Sequence, residues 1–192
     1  MLRVVLIRPG ATDFDEQRRI KGSLDIPMNE NGNHQVAQAA DELASLGIDQ
    51  IYTSPCQSAQ QTADALGHRL GVKVKQSEKL KNLDHGLWHG KLIEEVKQTQ
   101  PKVYREWQEH PENVCPPGGE TLAQAKERIG ELMSKLIKKY KNRTIALVVS
   151  EPLASLVRNS LDATDVGDLW QAECDSGTWE LIELESRKSV AD

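Results

Sequence analysis

Residues 2–7, Leu-Arg-Val-Val-Leu-Ile, form a near-continuous apolar run that stops abruptly at Arg8-Pro9-Gly10. A strand that is apolar on both faces is stable only where both faces are covered, at the centre of a parallel-rich sheet. The run is far too short for a secretory signal or a membrane span. Further strand-like segments follow at 50–54, 72–74, 144–150 and 178–184, separated by stretches with helical spacing. Such alternation predicts an α/β fold: a three-layer sandwich with a mostly parallel central sheet flanked by helices.

Helical periodicity is clearest at 121–140, where Leu122, Ala125, Ile129, Leu132 and Leu136 share one face. Val36, Ala40, Leu43 and Leu46 mark a helix over 34–46, with Gly47 as its stop. Ser54-Pro55 reads as a cap followed by proline at the first helical position, opening a helix to about Leu70. A further helix is expected from Glu151-Pro152 to about Leu161. Residues 76–120 differ, with glycines, prolines and two tryptophans among short helical pieces. They predict a turn-rich excursion over the cleft rather than a second domain. The expected organisation is one domain over 1–185 and a loose tail over 186–192.

Lysine and arginine number 24 against 29 aspartates and glutamates, a net charge of −5 that disfavours nucleic-acid binding. No membrane association is expected. Cys56, Cys115 and Cys174 are widely separated, with no CxxC pair, and read as reduced thiols of a cytoplasmic protein.

In sheets of this kind, sites form beyond the carboxyl ends of the strands. Two such ends stand out: Arg8-Pro9-Gly10-Ala11-Thr12 and Ser150-Glu151-Pro152. Between them lie Gly22-Ser23-Leu24-Asp25-Ile26-Pro27-Met28, Thr53-Ser54-Pro55 with Ala59, Gln61, Thr62 and Ala63, and Leu80 with Gly86-x-Trp88-x-Gly90. Pro117-Gly118-Gly119-Glu120-Thr121 follows, then Val148-Val149-Ser150 with Arg158. This ordered series resembles the histidine phosphatase (phosphoglycerate mutase-like) superfamily, branch 1. The resemblance implies that fold, and a phosphoryl pocket made of two histidines, two arginines and a proton-donating acid.

Carried over residue by residue, the resemblance keeps the first arginine as Arg8. It places the nucleophile at Pro9, the second arginine at Ser58, the acid at Asn82 and the second histidine at Glu151. Pro9 offers phosphorus no lone pair, and loss of a nucleophile commonly lowers turnover by around 10⁶. Ser58 replaces a bidentate donor with a hydroxyl. Asn82 gives no proton, removing general acid catalysis worth roughly 10²–10⁴. A carboxylate at Glu151, about 4 Å from a phosphate oxygen, costs on the order of 4 kcal/mol at an effective dielectric near 20.

The residues therefore predict a catalytically inactive protein of this fold, with a binding, regulatory or scaffold role, and not an enzyme of the family's usual type. The alternative is a family phosphatase with weak or altered phosphoester hydrolysis, through Asp13, Asp15 or His85 around Arg8. A third class is different chemistry in the same cleft using Glu151. Arg8 and Glu151 are expected to pair across the pocket. Ligand-binding candidates are Arg8, Arg19, Ser58 and Glu151, and the expected partner is a small anion or a protein. No cofactor is expected. No metal is expected either, because Gly86 and Gly90 argue against a helix aligning His85 with His89. Arg18, Arg19 and Lys21 read as a solvated basic loop diluted by Asp13 and Asp15, and Trp88 as a packing residue.

Overall fold

The central apolar run becomes β1 (Leu2–Ile7), and four further strands join it: β2 (Gln50–Thr53), β3 (Val74–Gln76), β4 (Thr144–Val148) and β5 (Trp179–Leu184). These belong to a computed structural model that describes residues 1–184; the tail expected at 186–192 lies outside the described residues. The strands form one sheet in the order β3-β2-β4-β1-β5. Pairing is parallel except between β1 and β5, which run antiparallel. Register explains the continuous apolar run. Val5 pairs with Ala146 and Ile7 with Val148, and all four join Ile51 in a cluster on one face. Their neighbours Val4, Leu6, Ile145 and Leu147 belong to the cluster on the other face. Period-two alternation therefore buries both sides of β1.

Eight helices accompany the sheet among the described residues: α1 (Asp13–Glu16), α2 (Glu30–Leu43), α3 (Gln57–Leu70), α4 (Ile93–Thr99), α5 (Pro101–Glu109), α6 (Leu122–Lys139), α7 (Leu153–Asp162) and α8 (Leu169–Ala172). α2 and α3 cover one face through Val36, Leu43, Ala63 and Leu66. α6 and α7 cover the other through Ile129, Leu136, Leu153 and Val157. Thr121 and Gln124 cap α6 reciprocally, each satisfying a backbone N–H of the other.

Several boundaries differ from expectation for local reasons. α2 begins at Glu30 rather than at 34, because the Asn29 side chain accepts from Gly32 N at 2.9 Å. α3 opens at Gln57 and not at Pro55. Ser54 still belongs to the sheet, its N–H donating to Val148 O at 3.0 Å, and Cys56 takes the cap position. The third strand starts at Val74, since Val72 N–H is drawn back to Gly67 O at 3.0 Å around the left-handed Gly71. α1 and α8, at four residues each, are too short for periodicity to reveal.

Between β3 and α6 the chain makes its excursion through α4, α5 and three short 3₁₀ turns. Aromatic packing holds it to the body: Trp88 and Trp107 lie within 5.5 and 6.0 Å of the Trp170 ring, and Tyr104 stacks on Trp170 at 5.1 Å. Trp88 is the packing residue expected, with 2% of its surface exposed. Gly86 has φ +51°, and a Cβ there would lie 2.2 Å from Pro117 O, so only glycine fits this contact.

Candidate active site

The carboxyl ends of β1, β4 and β2 lie side by side and deliver Arg8-Pro9, Ser150-Glu151 and Ser54–Ser58 to one region. Arg8 continues the alternation of Val4 and Leu6 and emerges on the α7 face. Glu180 pairs with the neighbouring Leu6 from β5 and shares that face. The Arg8 guanidinium is held twice, Nε donating to Glu151 Oε1 at 2.9 Å and Nη1 to Glu180 Oε1 at 2.5 Å. Arg158 of α7 lies 3.3 Å from the second oxygen of Glu180.

Glu151 is 1% exposed. Its Oε2 accepts from Ser155 N at 3.0 Å and from Ser155 Oγ at 2.8 Å, so the carboxylate also closes the first turn of α7. Burial pushes the Glu151 carboxyl above the ordinary carboxylate range, more than Arg8 and Ser155 draw it down. Burial works against charge on Arg8, but Glu151 and Glu180 raise its pKa beyond the ordinary value.

Pro9 is buried, and its carbonyl accepts from Gly177 N at 2.7 Å, fastening the loop before β5 beneath the first motif. Ser58 is buried at the start of α3, where its carbonyl accepts from Thr62 Oγ1 at 2.8 Å. Thr62 Oγ1 in turn accepts from Gly10 N at 3.0 Å. Asn82 is tied to the backbone on three sides. Its Nδ2 donates to Gly22 O at 3.0 Å and to Glu151 O at 2.8 Å, while its Oδ1 accepts from Leu153 N at 3.3 Å. Asn82 thus pins the loop bearing Glu151 and presents no free donor. Its outer side borders a cavity of ≈ 500 Å³ lined by Lys81, Asp84, Glu120 and Arg128.

The basic loop after the first motif is not simply solvated. Lys21 is 4% exposed and forms a buried ion pair with Asp15, Nζ to Oδ1 at 2.5 Å. Arg18 stays exposed, while Arg19 donates to Gly90 O at 2.8 Å and to Gln17 at 2.9 Å, so its expected anion contact has competitors. His85 is fully buried, with Nε2 3.2 Å from Glu173 Oε2. His89 Nε2 accepts from His85 N at 3.2 Å and from Ser23 N at 3.3 Å. Burial, then the nearby His85, lowers the His89 pKa, matching an imidazole whose lone pair is engaged. Burial pushes the Cys174 thiol up to about 11, which leaves little thiolate near neutral pH. Asp15 and His85, which the alternative reading set to work around Arg8, are instead held by Lys21 and Glu173. No group of three or more His, Cys, Asp or Glu placed to hold a metal is found among the described residues.

Two contributors were missing from the sequence reading. Ser155 stands one helical turn after Glu151, and that spacing was a signal. Glu180 is 172 residues from Arg8, and only the antiparallel placement of β5 brings it in.

The histidine phosphatase superfamily (branch 1) profile matches residues 4–192. Phosphoserine phosphatase 1 of Hydrogenobacter thermophilus is 29% identical over 190 residues, covering 99% of this chain and 90% of its own. A bifunctional protein of Mycobacterium tuberculosis is 33% identical over 95% of this chain, which spans 50% of that longer relative. Among solved structures, a mycobacterial glucosyl-3-phosphoglycerate phosphatase superposes with a TM-score of 0.83 at 24% identity, covering 94% of this chain and 92% of its own. That likeness establishes the fold.

The first of these relatives corrects the expectation of a catalytically inactive binding or scaffold protein, because a protein similar over 99% of this chain and 90% of its own length is named as a phosphatase. The physical reason is that a side chain without a lone pair excludes only attack by that side chain, and hydrolysis by water does not require it. From its matched profile and from the ordered motifs that frame the Arg8 pocket, the chain belongs to the histidine phosphatase superfamily, branch 1.

Proposed function

We propose that this protein hydrolyses phosphomonoesters by an altered, slow route in which water attacks phosphorus directly and Glu151 protonates the leaving oxygen. The observation that carries the reading is the buried Glu151 carboxyl beside Arg8, an acid whose affinity for a proton is raised by burial next to a guanidinium in a phosphatase-family frame. Relatives named for phosphoserine and glucosyl-3-phosphoglycerate support the substrate class, a phosphate ester on a small polar carrier.

In this route Arg8 holds the phosphoryl oxygens and offsets their charge. The bond from phosphorus to the ester oxygen breaks as a bond to water oxygen forms. The Glu151 proton passes to the departing alkoxide, and a proton of the attacking water restores the acid. Free alcohol and inorganic phosphate leave. With Pro9 in place no phosphoenzyme forms, so turnover lies well below that of a covalent enzyme. The ligand is a small anion, and the three free cysteines suit the reducing cytoplasm. Among the described residues no helix is long and apolar enough to cross a membrane.

The test is phosphate release from phosphoserine and p-nitrophenyl phosphate. Slow turnover is expected, falling by roughly 10²–10⁴ in Glu151→Gln and unchanged in Pro9→Ala. Turnover that ignores Glu151→Gln, or a trapped phosphoenzyme, overturns the route. A chain carrying Pro9→His, Ser58→Arg, Asn82→Glu and Glu151→His should gain a phosphohistidine.

A further inference from the structure

The donors around Glu151 are those of an oxyanion site: a guanidinium edge from Arg8, a backbone N–H at the start of α7 and the Ser155 hydroxyl. A phosphate or sulfate oxygen would seek the same three groups, because helix N-termini and arginine forks both favour anions. Here a carboxylate belonging to the chain satisfies them, and Glu180 takes a second guanidinium nitrogen. We propose that Glu151 is a tethered occupant of this site, and that a free oxyanion binds Arg8 only by displacing it after Glu151 takes up a proton. The inference rests on the phosphoester reading only for the identity of the anion that enters.

Charge around the site favours this order of events. Arg8 faces Glu151 from β4's end and Glu180 from β5, and Asp175, in the loop before β5, also interacts with Arg8. α7 contributes Arg158, which lies 3.3 Å from Glu180 and 3.6 Å from Asp162. Carboxylates thus outnumber the two arginines, and an incoming anion meets net negative charge until one of them is neutralised. Glu151 is the member placed to change this. Its side chain is 2% exposed while that of Glu180 is 24% exposed, so a proton removes the larger desolvation penalty at Glu151. Proton uptake also loosens its hold on Arg8 Nε and the two Ser155 donors, the same groups that the anion requires.

Sulfate is the discriminating probe, because it stays a dianion between about pH 5 and 8 while carboxyl groups titrate. Calorimetry on the full chain should show sulfate binding tighten as pH falls. Glu151→Gln should bind at least ~10-fold more tightly near neutral pH, the factor equivalent to one pKa unit of coupling, and lose most of the pH dependence. Arg8→Ala in the Glu151→Gln background should abolish binding. Glu180→Gln, on the better-exposed partner, should tighten binding less and serves if the Glu151 variant folds poorly. Sulfate affinity that is flat with pH, or Glu151→Gln binding no tighter than the parent, overturns the inference. So does a pH dependence removed by Asp175→Asn and kept by Glu151→Gln. Sulfate binding with the expected pH response but no ester hydrolysis would sink the phosphatase reading and leave the tethered occupant standing. In an active protein, Glu151→Gln should bind sulfate better and hydrolyse worse.

Discussion

The Arg8 pocket and the aromatic region of the excursion both bury polar, ionisable side chains, and they treat them in opposite ways. Around Arg8, both Glu151 carboxylate oxygens have close donors, and Asn82 uses its whole amide. Around Trp107, the ring nitrogens of Trp88 and Trp107, Nδ1 of His85 and Oε1 of Glu173 are buried without a hydrogen-bond partner among the described residues. The first region is therefore held by mutual neutralisation, so removing one partner strands another. The second is held by area and ring packing, against the cost of its unpaired polar atoms. A pocket of the first kind can be switched by one proton, whereas a region of the second kind serves as a rigid wall.

The largest effect should come from the wall. Trp107→Ala should lower stability by about 3–5 kcal/mol in urea unfolding, since Trp107 is 1% exposed and meets three other aromatic rings. A loss below 1 kcal/mol would mean that packing does not hold the excursion. Arg8→Ala should follow at about 3 kcal/mol near neutral pH, because it leaves Glu151 buried and unpaired. That loss should shrink in acid, where Glu151 takes a proton; a pH-independent loss would break the neutralisation account.

The third prediction concerns the slope of stability with pH. Glu151 titrates higher in the fold than in the unfolded chain, so the fold binds this proton more tightly. Its contribution is full below the ordinary carboxylate value of 4.5 and is lost as pH rises through the raised folded value. Each pKa unit corresponds to about 1.4 kcal/mol. Unfolding curves of the parent minus those of Glu151→Gln should fall over this window, and a rising difference would reverse the sign. The smallest effect is expected for the double variant His85→Phe with Glu173→Leu. Removing both partners of this buried pair should change stability by no more than about 1 kcal/mol, and a far larger loss would show that the pair matters to the wall.

Much of the fold was legible because its cause is local or periodic. β1 is recognisable from six consecutive residues, and α6 from apolar spacing followed over five turns. The site was legible as a set of positions, since Arg8 and Glu151 each follow a buried strand, and their pairing follows from two parallel neighbours. Lys21 was not legible. A lysine among arginines reads as solvated, and only the short α1 turn, capped by Thr12, brings Asp15 against it. His85 hid for a similar reason: a histidine between Asp84 and Gly86 looks exposed until Glu173, 88 residues away, closes over it.

Composition, period and motif order determined by themselves that this chain builds a two-faced sheet with Arg8 just past the end of an interior strand. They also determined that the side chain of Pro9 offers no nucleophile, because nucleophilicity belongs to the residue and needs no neighbours. What surrounds Arg8 was decided by tertiary structure. Hydrogen-bond partners and burial are properties of distance, and the antiparallel return of β5 and the first turn of α7 convert separate carboxylates into one shared charge network.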